Sequence, residues 1–170
     1  MAVNRTLQVN VVFSGYYDAN GPSGPGYYGN ATYTQTGSTP DMPGIVDASG
    51  NIHFDQAPAF DHTLYNESID ITLNLSGSTT LQGGASTTPV TWATAIGNGV
   101  QHSAMQIWDE NNQPTNEIVA SFVAGSNNMS ILLIDNDDDS NTYSYKPAVI
   151  IPALNNYYIS LDPKVINRPT

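Results

Sequence analysis

The densest chemistry in the chain lies at Asp135–Tyr145, DNDDDSNTYSY, where Asp135, Asp137, Asp138 and Asp139 place four carboxylates in five residues directly after the apolar run MSILLI. Calcium takes six to eight oxygen ligands, several of them usually carboxylates. Asp135, Asp137 and Asp139 match positions one, three and five of a helix–loop–helix calcium loop. The match ends there. Position six, which needs glycine for its sharp turn, is Ser140, and position twelve, which should be a bidentate glutamate, is Lys146. The flanks also read as strands rather than helices. Two readings remain. In the first, Asp135, Asp137, Asp138, Asp139, Asn141 and the Thr142 hydroxyl converge with backbone carbonyls on a calcium ion held between strands. In the second the stretch is the solvated turn of a hairpin joining MSILLID to TYSYKPAVII, because Asp, Asn and Ser favour turns and salt screens their repulsion.

Other constellations carry less. NIHFDQAPAFDH brings His53, Asp55, Asp61 and His62 close in sequence, with His102 further on, which is the ligand order of a two-histidine, one-carboxylate iron site. Such oxygenases also need a cation to anchor their cosubstrate, and no Lys or Arg lies between Arg5 and Lys146. Three unrelated histidines are the better reading. Ser14-Gly15 and Ser76-Gly77 lack the G-x-S-x-G elbow that exposes a nucleophile. No pair of acids stands out for glycoside hydrolysis, and no glycine-rich loop ends in lysine for phosphate chemistry. The expectation is a protein without catalytic residues and without an organic cofactor.

Aromatic residues offer a different chemistry. Trp108 closes the strand-like SAMQIWD and runs straight into Asp109, Glu110, Asn111 and Asn112. An indole face beside amide and carboxylate groups suits a neutral sugar: the ring packs on C–H groups while the polar atoms meet hydroxyls. The competing reading places Trp108 and Trp92 in the core. Tyr16, Tyr17, Tyr27 and Tyr28 lie among Gly and Pro residues in the stretch at about 14–43, read as a long irregular loop, and long loops on packed scaffolds are commonly functional.

These groups need a scaffold, and the scaffold reads as strands. TLQVNVVF, SIDITLNLS and NNYYISLD alternate apolar and polar residues with period two. IVD and NIHF around Ala48-Ser49-Gly50, PVTWAT, SAMQIWD, EIVASFV, MSILLID and TYSYKPAVII add further strands, the last with Pro147 marking a bulge or an edge. Turn clusters such as DANGPSGPG and LQGGASTTP separate them, and no helical periodicity appears. The prediction is an all-β single domain over 1–170, an antiparallel β-sandwich, Ig-like or jelly-roll, of about nine or ten strands with no substantial helix.

Charge bounds the partners. Four basic residues face fifteen acidic ones, a formal net charge of −11 and a pI near 4.1. Phosphate recognition depends on Lys and Arg, so the expectation is no nucleic acid and no membrane insertion. Only 11% of residues are charged, well below the usual quarter, so the polar surface is built from Asn, Thr, Ser, Gly and Tyr. That composition favours an extracellular or cell-surface setting. MAVNRTLQVNVVF does not read as a signal peptide, so the expectation is a cytoplasmic chain or one that begins after a removed leader. Cysteine is absent, which excludes disulfides and thiolate metal sites. The sequence predicts a non-catalytic binding module, carbohydrate-binding or lectin-like, with calcium at the 135–142 stretch as its cofactor. The alternative is a self-assembling fibre, coat or surface-layer subunit, a homo-oligomer or polymer joined through edge strands or terminal segments and assisted by calcium. The partner is therefore a neutral glycan or a second copy.

Overall fold

Period-two alternation becomes strands throughout the computed structural model, which describes residues 1–98, 103–136 and 139–167. In chain order these are β1 (Val3–Asp18), β2 (Gly26–Thr39), β3 (Ile52–His53), β4 (Tyr65–Thr80), β5 (Thr87–Pro89), β6 (Thr91–Trp92), β7 (Met105–Trp108), β8 (Ile118–Phe122), β9 (Ser130–Asp135), β10 (Thr142–Ile151), β11 (Tyr157–Ser160) and β12 (Lys164–Ile166). The only helical pieces among the described residues are two 3-10 turns, Phe54–Gln56 and Pro152–Leu154. The twelve strands among the described residues exceed the predicted nine or ten because β2 lies in the stretch read as a loop and β5 and β12 are only three residues long.

The strands form two six-stranded sheets rather than a closed barrel. The first runs β2-β1-β4-β9-β8, with β5 beside the end of β4. The second is built around β10, which takes β12 and β11 along one side and β7 and β6 along the other. Leu7, Val9, Val11 and Phe13 of β1 and Ile69, Ile71 and Leu73 of β4 all point inward and are buried. They meet Trp92, Tyr143, Tyr145 and Val149 from the second sheet in one core cluster. At about 25 cal/mol per Å² of apolar area removed from water, that burial is the main driving force of the fold.

Four expectations need correction. The sheets are mixed, not purely antiparallel: β1 pairs with β4 in parallel over Val3–Gly15, and β12 pairs with β3 in parallel. Alternation reports which face a residue takes and is silent on strand direction. The stretch 14–43 is not an irregular loop. Most of it is a long hairpin in which β1 and β2 pair from Thr6↔Thr39 to Asp18↔Gly26. Its glycines misled because one of them is a packing residue: a Cβ on Gly29 would lie 2.2 Å from the Phe13 ring, so glycine here makes room for an aromatic core side chain. MSILLID and TYSYKPAVII do not form a hairpin either. β9 belongs to the first sheet and β10 to the second, so Asp135 and Thr142 lie in different layers. Finally, IVD is not a strand: it meets NIHF, which supplies β3, through the Val46↔Ile52 bridge, with the Asp47 amide donating to the Asn51 carbonyl at 3.0 Å and the His53 amide to the Ile45 carbonyl at 2.8 Å.

Pro147 falls where β10 changes partners, from β7 to β6 on one side and from β12 to β11 on the other. A residue that cannot donate to a ladder is tolerated at such a junction.

Gly77 on β4 is a sharper constraint. Its φ is +110°, and a Cβ there would lie 1.9 Å from the Phe13 carbonyl oxygen on the paired strand. The backbone conformation alone costs a non-glycine residue about 1–3 kcal/mol, and the clash adds to it. Gly77→Ala is expected to lower unfolding free energy by more than about 2 kcal/mol in urea titration. A change below about 0.5 kcal/mol would show that the β1–β4 register tolerates displacement here.

Candidate functional site

The aromatic end of the β1–β2 hairpin is set by strand register. Tyr16 pairs with Tyr28 and Tyr17 with Tyr27. Alternation gives the two pairs opposite faces of the ribbon, so the four tyrosines are not one platform. The Tyr17 and Tyr27 rings meet edge to face at 5.3 Å, and Tyr27 meets Tyr157 of β11 in the same way at 5.8 Å. Tyr16 and Tyr28 lie 6.5 Å apart in a tilted arrangement.

The turn between these strands is ordered by hydrogen bonds. The Tyr28 hydroxyl donates to the Gly24 carbonyl at 2.7 Å and accepts from the Ser23 amide at 3.0 Å. The Asp18 carboxylate accepts the Asn20 amide at 2.8 Å, and the Tyr27 hydroxyl accepts the Gln82 amide at 3.1 Å.

Between this tip and β11 lies a recess of about 610 Å³ lined by Tyr16, Tyr27, Tyr28, Asn30, Tyr157 and Tyr158, with proline, serine, Gly29 and Ile159 completing its wall. No charged residue lines it. Sequence reasoning found three of those tyrosines and missed Tyr157, Tyr158 and Asn30. NNYYISLD was legible as a strand, but nothing in it says that β11 comes to rest beside the hairpin tip.

Trp108 sits half-buried at the end of β7, and its indole Nε1–H is buried without a hydrogen-bond partner. Trp92 is a core residue whose Nε1–H donates to the Met129 carbonyl at 3.1 Å. Trp108 shares a row with Ser144 and Lys164 across β7, β10 and β12. Beside that row is a cleft of about 290 Å³ lined by Asp109, Glu110, Asn112, Thr142, Ser144 and Lys164. Asp109 is largely committed to its own turn: its Oδ1 accepts the Asn111 and Gln113 amides at 2.8 and 2.9 Å. Asn111 and Asn112 are exposed, and Asn112 takes φ 55°, a left-handed turn position that asparagine tolerates.

The structure brings this loop and the acidic stretch together, which the sequence did not indicate. Glu110 Oε1 accepts the Thr142 amide at 2.7 Å. Asp135 is buried on the inward face of β9 beside Ile131 and Leu133 rather than exposed in a turn. The Asn167 amide donates to Asp135 at 3.4 Å and to Asp139 at 3.5 Å, tying both carboxylates to the segment after β12. Asp139 also accepts the Asn141 amide at 2.9 Å and the Tyr143 hydroxyl. Asp137 and Asp138 lie outside the described residues, as does His102. Among the described residues no three acidic or histidine side chains are grouped to hold a metal ion. His53 approaches Asp47 at 3.3 Å and His62 approaches Glu67 at 3.4 Å, so these two histidines serve separate local pairs.

Electrostatics at the acidic end are stabilising. Burial pushes the Asp139 carboxyl up, but hydrogen bonds from Tyr143, Asn141 and Asn167 outweigh it and hold its pKa below the ordinary carboxylate value. Asp47 is lowered in the same manner: burial opposes, and bonds from Asn51, His53 and Ser49 prevail. The Tyr143 phenol is pushed up, first by burial and then by its bond to Asp139. A carboxylate with a depressed folded pKa contributes stability that is present above its unfolded value of about 3.9 and is lost as pH falls through the folded pKa. Melting temperature is therefore expected to fall as pH drops below about 4. Asp139→Asn should melt lower at pH 7 and converge toward the parent at pH 2.5. Parallel curves for the two proteins would show that Asp139 contributes nothing to acid sensitivity.

No protein-family model matches the chain, and no curated protein matches it as a relative.

Proposed function

We propose that this protein is a non-catalytic binding module whose ligand is a neutral glycan, taken in the tyrosine recess between the β1–β2 tip and β11. One observation carries the reading: in a chain of net charge −11, the 610 Å³ recess is lined without a single carboxylate or ammonium group. A charged ligand would find no counter-charge there, and a wholly apolar one would leave Asn30 and the serines unmatched. A sugar suits both surfaces. Its C–H faces pack on Tyr16 and Tyr157, which are partly exposed, while hydroxyls meet the Asn30 amide, which both donates and accepts. Bonds that hold Tyr27 and Tyr28 in place before binding reduce the ordering cost of association.

Calcium bound at the Asp135–Thr142 stretch would act away from this recess, since Trp108 pairs with Ser144 near one end of β10 and Tyr157 pairs with Ile151 at the other. Glycan affinity is therefore expected to be the same in calcium and in chelator. A second reading, a structural subunit joined through sheet edges, is favoured by the exposed apolar edge of the first sheet.

Titration calorimetry against neutral oligosaccharides tests the proposal. Tyr16→Ala and Tyr157→Ala should each weaken binding about tenfold, equivalent to about 1.4 kcal/mol, while both variants still unfold cooperatively and Tyr157→Ala, which loses the Tyr27 ring contact, melts lower. No binding by the parent protein up to millimolar sugar would sink the reading. So would full affinity in both tyrosine variants.

A further inference from the structure

The second sheet keeps opposite charges apart on its outer face. Among the described residues the basic side chains are Arg5, Lys146 and Lys164. Arg5 approaches Glu67 at 3.9 Å and Lys146 approaches Asp162 at 3.8 Å, whereas Lys164 makes no ion pair. In a chain with fifteen acidic residues an unpaired ammonium needs a reason. Strand order supplies it. β7 and β12 lie on opposite sides of β10, so Ser144 stands between Trp108 and Lys164 in one row. Asp109 and Glu110 follow directly on the end of β7. Two strand spacings, about 9–10 Å, therefore separate the base of that acidic turn from Lys164.

The cleft of about 290 Å³ occupies this interval, with Lys164 at one side and Asp109, Glu110 and Asn112 at the other. Thr142 and Ser144, two positions apart on β10, share the face between them and add two hydroxyls. The acidic side is fixed in advance. Glu110 Oε1 accepts the Thr142 amide at 2.7 Å, and Asp109 Oδ1 accepts the Asn111 and Gln113 amides at 2.8 and 2.9 Å. Asp109 Oδ2 and Glu110 Oε2 take no part in these bonds. The Lys164 backbone is also fixed, its amide donating to Asn51 Oδ1 at 3.0 Å.

We propose that this cleft binds a small zwitterion, an α-amino acid whose ammonium group meets Asp109 and Glu110 and whose carboxylate meets Lys164 and the Ser144 hydroxyl. Length supports the assignment. The charged atoms of an α-amino acid lie about 3 Å apart, and a charge-assisted hydrogen bond of about 2.8 Å at each end extends the span to about 9 Å, the interval that β10 imposes. Charge supports it too. A metal ion or a simple amine would face the Lys164 ammonium, and a simple carboxylate would face two carboxylates on a protein of net charge −11. A zwitterion carries no net charge and satisfies both sides. The Asn112 amide and the Thr142 hydroxyl suit a short polar side chain, as in serine. Ser144 and Tyr157 pair with opposite ends of β10, so this site and the tyrosine recess are separate and neither reading depends on the other.

Titration of the nitrogen-15-labelled protein with L-serine, followed by the NMR shifts of its backbone amides, tests the proposal. Glu110 and Lys164 are exposed, so solvent screens each ion pair and half-saturation is expected at about 1 mM. The amides of Asn112, Thr142, Ser144 and Lys164 should move together. N-acetyl-L-serine lacks the ammonium group and L-serine methyl ester lacks the carboxylate; at about pH 6, where the ester amine stays protonated, each should bind at least about tenfold more weakly. Glu110→Gln retains an acceptor for the Thr142 amide and should weaken serine while leaving N-acetyl-L-serine unchanged. Lys164→Gln should weaken serine while leaving the methyl ester unchanged. Still amides up to about 50 mM serine would overturn the proposal. So would equal responses to the three compounds, shifts confined to another part of the protein, or full serine affinity in either variant.

Discussion

The parallel pairing of β1 with β4 holds the structure together. It runs from Arg5↔Ile69 to Gly15↔Thr79 and lies inside the first sheet, with β2 outside one strand and β9 outside the other. Because side chains alternate with period two, this register decides which residues face the second sheet. A slip of one residue would turn Leu7, Val9 and Val11 to solvent. Phe13 shows how tightly the pairing is specified: its ring requires Gly29 on one side and its carbonyl requires Gly77 on the other. The pairing also sends β1 past the end of the core toward the tyrosine tip.

Both ends of the molecule inherit their chemistry from that frame. At one end, edge-to-face rings join Tyr17 and Tyr27 of the first sheet to Tyr157 of the second, and the recess beside them is aromatic and uncharged. At the other end, the chain passes from β9 to β10 through its most acidic stretch, and Asn167 and Tyr143 hold Asp135 and Asp139. The negative charge is therefore not spread evenly. The tyrosine recess is a neutral region of a strongly acidic protein, and the β8 edge is another.

Much of the fold was legible in the sequence, because alternation in TLQVNVVF, SIDITLNLS and MSILLID translates directly into buried faces. What stayed hidden depends on information that alternation lacks. Strand direction is one example, and it made the β1–β4 and β3–β12 pairings parallel where antiparallel was expected. Layer membership is another: two apolar runs joined by six turn-forming residues look like a hairpin, whether they share a sheet or not. Gly15 and Gly29 looked like loop residues and are strand residues, since a local scan cannot see an aromatic ring from elsewhere. Of the candidate site, Trp108 and the tyrosines of the hairpin were visible by type, and their neighbours were not. Tyr157 reaches Tyr27 across 130 residues of chain, and Asn167 reaches Asp139 across 28.

Leu7 and Ile71 are partners 64 positions apart in the chain, and their strands are parallel, so no tight turn brings them together. Closing a loop of that length carries an entropic penalty before any contact between the strands compensates for it. A topology dominated by such distant pairings folds in milliseconds to seconds rather than microseconds. The β1–β2 register is local by comparison, and a hairpin formed ahead of the β1–β4 pairing would show its Val9–Val11–Phe13 face to water. The chain's own acidity is useful at that stage: every copy in the same half-folded state carries the same excess of negative charge, which opposes contact between such faces until the second sheet packs over them.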